Sequence, residues 1–130
     1  MTPPVEPARA SQLLVWWCWG VCGFLIIVGA IGFFTNDIGP LPTNRVHALA
    51  LNLSVGLGGF GFARFGRESA FVLLVGIGMI VMATLGFLPA TQTWLYTTLH
   101  MNTAESVIEL VGGVISLGLW GAARRATRAA

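Results

Sequence analysis

Four long apolar runs alternate with short polar breaks along this chain. Leu13 to Phe34 carries no charge at all. Val46 to Ala63 is interrupted only by His47, Asn52 and Ser54, and Ala70 to Leu88 only by Thr84. Ser106 to Ala123 carries Glu109 and Ser116. At about 1.5 Å per residue, each run is long enough as a helix to approach the ~30 Å hydrocarbon core of a bilayer. The pattern predicts an all-α integral membrane protein, a bundle of four transmembrane helices over 13–34, 46–63, 70–88 and 106–123. Residues 1–11 are expected to be a cytoplasmic tail, 12–123 the transmembrane domain, and 124–130 a basic cytoplasmic tail. The connections Thr35–Arg45, Arg64–Ser69 and Pro89–Glu105 read as loops. The first run is longer than a signal-peptide core and is read as a retained span.

Composition narrows the class further. The chain of 130 residues is 55% hydrophobic and 9% charged, far from the roughly 25% charge of a soluble domain. The seven basic residues are all arginine and lie singly or in short groups at segment ends, so no basic stripe for nucleic acid exists. Arg9, Arg64, Arg67, Arg124, Arg125 and Arg128 share one side of a four-span layout and only Arg45 falls on the other. Arginine bias of this kind predicts that both termini are cytoplasmic. Trp16, Trp17, Trp19 and Trp120 near the inner face, with Trp94 and Tyr96 outside, fit interfacial aromatic belts. Cys18 and Cys22 lie four apart in the first run and read as plain buried cysteines.

The chain also looks like one helical hairpin written twice. Ile31-Gly32-Phe33-Phe34 closes the first span and Leu85-Gly86-Phe87-Leu88 the third. Asn44-x-x-His47 opens the second and Asn102-x-x-Glu105 the fourth. A tandem repeat of hairpins gives a parallel relation about an axis along the membrane normal.

The chemistry-bearing residues sit on spans two and four. At helical spacing, Asn44, His47, Ala50, Ser54, Gly58 and Gly61 share one face. Asn102, Glu105, Glu109, Gly112, Ser116 and Ala123 share another. Ala50-x-x-x-Ser54-x-x-x-Gly58 and Gly112-x-x-x-Ser116 are small-residue patterns that permit close helix packing. The two stripes are expected to face each other or a partner helix. Glu109 lies about 5 Å inside the end of its span, where a carboxylate is costly and faces the bundle interior. The plainest role is a polar clasp, hydrogen-bonded to His47 or paired with Arg45. A binding or proton-handling site with Glu105 and His47, or a contact with another subunit, is the alternative. Asn52 falls off the His47 stripe and reads as an inter-helix hydrogen bonder.

Other chemistry finds little support. His47, His100 and Glu105 are ligand types suited to zinc or copper, but no recognised ligand spacing joins them, so neither metal nor other cofactor is expected. Gly56 to Gly61 mimics a glycine fingerprint inside an apolar span, without the strand that a dinucleotide site needs. No catalytic set is present, and no enzymatic activity is expected.

At Asn44-x-x-His47 and Asn102-x-x-Glu105-x-x-x-Glu109 the chain resembles the small four-span bacterial membrane proteins of domain-of-unknown-function family 4383. In that family the second span opens N-x-x-H and the fourth N-x-x-D-x-x-x-H. Asn44, His47 and Asn102 match. Glu105 stands where Asp is usual and Glu109 where His is usual, while Leu51 and Ser54 occupy positions where glycine is more common. The resemblance runs from about Phe33 onward and implies the four-span fold, with no activity to carry over. In size and layout the chain is also similar to DoxX-like proteins. The leading expectation is a small non-catalytic accessory or oligomer-forming subunit, whose partners are the lipid bilayer and other membrane subunits or further copies of itself. The alternative is a small transporter or ligand- or proton-binding protein using Glu109, Glu105 and His47.

Overall fold

A computed structural model describes residues Val5–Ala129, with side chains from Ser11. The described residues form five helices. Helix α1 spans Val5–Phe34; a two-residue hairpin, Asp37–Ile38 (β1) with Leu41–Pro42 (β2), follows. Helix α2 spans Arg45–Arg64, α3 Glu68–Phe87, α4 Pro89–Leu99 and α5 Thr103–Ala129. Four of the five, all but α4, are long and apolar enough to cross a membrane.

The helices extend past the expected spans at both ends of the chain. Residues 5–11 of the expected N-terminal tail and 124–129 of the C-terminal one are helical. Ala, Glu, Gln and Arg are good helix formers, and no glycine or interior proline interrupts Ala122–Ala129. The connection expected over Pro89–Glu105 contains α4. Pro89 supplies the preset φ of a first helical turn, and the helix ends at His100, whose φ is +55°. Its threonine-rich stretch looks like a loop in the sequence. Its buried residues are Leu95 and Leu99, one turn apart, which pack with Met101 against Leu51, Met82 and Leu85.

Tight turns set the hairpins. Gly39, at φ +61°, takes the first position of the two-residue β-turn, where a side chain would be strained. Gly66, at φ +65°, ends α2. There Arg67 N donates to Phe62 O at 2.9 Å and Gly66 N to Ala63 O at 3.1 Å, the paired bonds of a left-handed helix C-cap.

Within α2 the residues Ala48–Leu53 form a π-helical turn. Such a turn holds one more residue than an α-turn, so it shifts the helix face by one position. The consequence corrects the sequence reading. Ala50, Ser54 and Gly58, expected on the packing face with His47, are exposed. The buried positions are His47, Ala48, Asn52, Gly56, Gly59 and Ala63.

Backbone proximity explains the glycines on that face. A methyl group at Gly56 would meet Ile26 Cγ1 at 2.9 Å and Cys22 O at 3.1 Å; at Gly113 one would meet Ile80 Cγ1 at 2.9 Å and Gly76 O at 3.1 Å. Ile26 and Cys22 recur as Ile80 and Gly76, 54 positions on. Gly56 recurs as Gly113, 57 positions on. A side chain at Gly59 would collide with Phe71 of α3; its counterpart Ser116 accepts a 2.8 Å hydrogen bond from Nε1 of Trp17 on α1, the counterpart of Phe71. Reciprocal contacts of this kind relate the hairpins α1–α2 and α3–α5 by an approximate two-fold axis along the bundle.

The core divides by depth. At the end where the chain turns at Arg64–Arg67, Leu14, Cys18, Cys22, Ala63, Phe71, Val72, Val75 and Ala123 close the interior. Both cysteines are free and buried.

Candidate functional site: a polar pair in the inter-hairpin cavity

The motifs that open α2 and α5 turn out to be helix caps. Asn44 accepts from His47 N at 2.8 Å. Asn102 accepts from Glu105 N at 3.0 Å, and Glu105 Oε2 returns the bond from Asn102 N at 2.9 Å, a reciprocal capping box. Each asparagine amide also crosses to the other hairpin. Asn44 Nδ2 donates to Thr98 O at 2.9 Å and Asn102 Nδ2 to Pro40 O at 3.1 Å. Residues 44 and 102, like acceptors 40 and 98, stand 58 positions apart. The pair stitches the two hairpins together symmetrically, so this end has a structural clasp built from backbone carbonyls.

His47 belongs to the same clasp. It is 6% exposed, and its Nδ1 lies 3.0 Å from the Leu99 carbonyl. A carbonyl only accepts, so Nδ1 carries the hydrogen. Glu105 Oε1 is 3.9 Å from the same nitrogen, an electrostatic contact rather than a hydrogen bond. Of the expected residues, Asn44, His47, Asn102 and Glu105 therefore come together. Arg45 does not join them: it is exposed, with its guanidinium 5.5 Å from the centre of the Phe33 ring.

Glu109 makes neither of the bonds expected of it. Its carboxylate has no hydrogen bond or ion pair among the described residues. It faces two adjoining cavities of about 340 and 480 Å³ between the hairpins. Gly112 and Ser116, the rest of its stripe, are buried against Met79 and Gly76 of α3 and against Trp17, not against α2. The expected meeting of the two stripes is confined to the cap end.

Asn52 is the residue whose place the sequence did not reveal. It is 8% exposed, lines both cavities with Glu109, and its amide makes no hydrogen bond among the described residues. Residues 52 and 109 stand 57 positions apart, the same offset as Gly56 and Gly113, so they are counterparts in the two hairpins. That offset was the signal. It is hidden in the sequence because the cap motifs repeat at 58 and the π turn removes one.

The smaller cavity opens along the α2–α3 seam, beside Gly58, Leu74 and Gly78, and the larger along the α1–α5 seam, beside Gly20, Phe24 and Ile108. Leu25, Asn52, Met79 and Glu109 border both. Apart from Asn52, His47, Glu105 and Glu109, nearly all the lining is aliphatic, aromatic, thioether or glycine. Among the described residues no three histidine, cysteine or acidic side chains cluster in a way that would hold a metal ion. No protein-family model, curated protein or solved structure matches this chain.

Proposed function

We propose that this protein is a four-span integral membrane protein, with both termini in the cytoplasm of a bacterial inner membrane, that binds a small ligand between its two hairpins. The observation that carries the reading is a pair of polar side chains, buried Asn52 and half-buried Glu109, that border both mainly apolar cavities and have no hydrogen-bond partner among the described residues. Polar groups that open onto a cavity instead of bonding within the protein are free to bond a guest there. An acidic side chain within a span marks a site on the same grounds. The bilayer setting is supported by outward-facing Phe24, Ile27, Ile31, Leu74, Val81, Val107, Val111 and Val114, more exposed apolar surface than a soluble monomer tolerates. Orientation rests on the arginines at the Arg64–Arg67 turn and the end of α5.

A second reading, an oligomer-forming or accessory subunit, is favoured by one feature. Ala50, Ser54 and Gly58 form a small-residue stripe on the outside of α2, and open space surrounds Gly58.

The native mass of the protein, extracted gently from its own membrane, separates the two. A monomer or homo-oligomer carrying a small-molecule mass that Glu109→Gln loses supports ligand binding. A mass containing other polypeptides, unchanged by that substitution, supports the subunit reading. Orientation is tested by placing single cysteines at Thr127 and at Asp37 in a variant lacking Cys18 and Cys22. A membrane-impermeant maleimide should label Asp37→Cys in intact cells and Thr127→Cys only after lysis.

A further inference from the structure

We propose that the ligand is a lipophilic amine: a hydrocarbon chain or ring system bearing one protonated ammonium group, which reaches the cavity sideways from the bilayer. The proposal rests on the ligand-binding reading above and names the chemistry that the cavity selects.

Charge comes first. Glu109 borders both cavities and Glu105 the larger one, and no cation among the described residues balances Glu109. Arg45 is turned outward onto Phe33, and the His47 ring is committed to the Leu99 carbonyl beside Glu105. A carboxyl group in an apolar cavity without a counter-charge is held ionised only beside a cation, so it favours a guest that brings a positive charge and disfavours an anionic one. Asn52 supplies the second contact. Its amide oxygen accepts a hydrogen bond, and its position as the two-fold counterpart of Glu109 sets it across the axis from that carboxylate. An ammonium group, which has donors only, satisfies both acceptors at once.

Next come the walls. Leu25, Val55, Phe62, Met79 and Met82 offer aliphatic, aromatic and thioether surface and no further polar partners. Phenyl rings and thioether sulfur tolerate a nearby cation, and the hydrocarbon part of the guest exchanges lipid chains for equally apolar walls at little cost. A sugar or a free amino acid would leave most of its donors and acceptors unpaired here, which rejects it strongly. The volumes, about 340 and 480 Å³, suit one small amphiphile.

Access completes the argument. Both mouths lie along the inter-hairpin seams, where neighbouring Phe24, Leu74 and Ile108 are exposed and apolar. The cap end is closed by Leu95, Leu99 and Met101 and by the crossed asparagines. A guest arriving through these seams must first dissolve in hydrocarbon.

The test uses the full chain in lipid nanodiscs and three probes with the same hydrocarbon length: n-octylamine, n-octanol and octanoate. Thermal unfolding, followed by near-ultraviolet circular dichroism, reads the apparent Kd of each. Octylamine should bind at least about tenfold more tightly than octanol, octanoate should not bind, and Glu109→Gln should remove the preference, as expected for the loss of one charge-assisted hydrogen bond. Asn52→Leu keeps the branched outline of the side chain and leaves Glu109 in place, and should weaken octylamine more than octanol. If octanol equals octylamine and Glu109→Gln changes neither, the amine proposal is overturned while a ligand cavity stands. If none of the probes binds, the amine proposal and the ligand reading fall together.

Discussion

Gly56 and Gly58 lie two residues apart on α2, and replacing each by alanine should have opposite effects. A methyl group at Gly56 would stand 2.9 Å from Ile26 Cγ1, 3.0 Å from Ile26 N and 3.1 Å from Cys22 O. Two of those three atoms are backbone of α1 and cannot swing away, so the helices must part by a few tenths of an ångström. Overpacking of this kind costs about 1–3 kcal/mol. Alanine returns about 0.5–1 kcal/mol through its better helix propensity. The net loss for Gly56→Ala should be up to about 2.5 kcal/mol by the same estimates. At Gly58 nothing lies within 4 Å, so only the gain remains, and Gly58→Ala should be neutral or more stable by up to about 1 kcal/mol. The assay is reversible unfolding in mixed micelles by increasing dodecyl sulfate, followed by far-ultraviolet circular dichroism. Gly113→Ala should also destabilise, but by no more than Gly56→Ala, because only Gly76 O of its three nearest atoms is backbone. The periodicity that starts at His47 puts Gly58 inside and Gly56 outside, the reverse of the structure. A destabilised Gly58→Ala with an unaffected Gly56→Ala would refute both the π turn and the packing face derived from it.

Three further outcomes follow from the same geometry. Deleting Ala50 removes the extra residue of the π turn and should leave a protein that unfolds near the wild-type dodecyl sulfate concentration. Deleting Leu57 instead rotates everything beyond it by about 100° relative to Asn52 and should abolish the folded bundle. Asn102→Ala breaks both the capping box and the bond to Pro40 O, and should cost at least the roughly 0.5–2 kcal/mol of a lost cap in the same unfolding assay; a smaller loss would contradict the clasp. Ser116→Ala and Trp17→Phe each remove the 2.8 Å bond between α1 and α5. A double-mutant cycle on them should give a coupling of about 0.5–1.5 kcal/mol, and additive losses would show that the bond contributes nothing.

The parts of the site legible in the sequence were those that depend on local spacing. Asn44-x-x-His47 and Asn102-x-x-Glu105 stood out as repeated openings, and their role as caps needs only four consecutive residues. Glu109 stood out because a carboxylate inside an apolar run is rare. Its environment was not legible. Whether it meets His47, Arg45 or an empty cavity depends on where three other helices lie, and spacing within one helix carries no information about that. Arg45 illustrates the limit: one residue from Asn44, it points away from the clasp and rests on Phe33. Helix α4 was missed for a related reason. Its eleven residues hold few apolar positions, and Leu95 and Leu99 bury against Met82, Leu85 and Leu51, partners distant in sequence.

What the sequence determined by itself is the set of elements and their order. Long apolar runs have few ways to satisfy their backbone groups other than as helices, short polar breaks force hairpins, and the repeated cap motifs set where α2 and α5 begin. The tertiary structure decided which faces turn inward. Inside α2 the helix is held at one end by the bonds of Asn44 and His47 to Thr98 and Leu99, and at the other by the close approach of Gly56 and Gly59 to Cys22. Those two restraints are one residue out of step with a regular α-helix. The π turn at Ala48–Leu53 absorbs the difference, and in doing so brings Asn52 inward to lie opposite Glu109. That juxtaposition follows from contacts among all four long helices, and no local pattern in the chain encodes it.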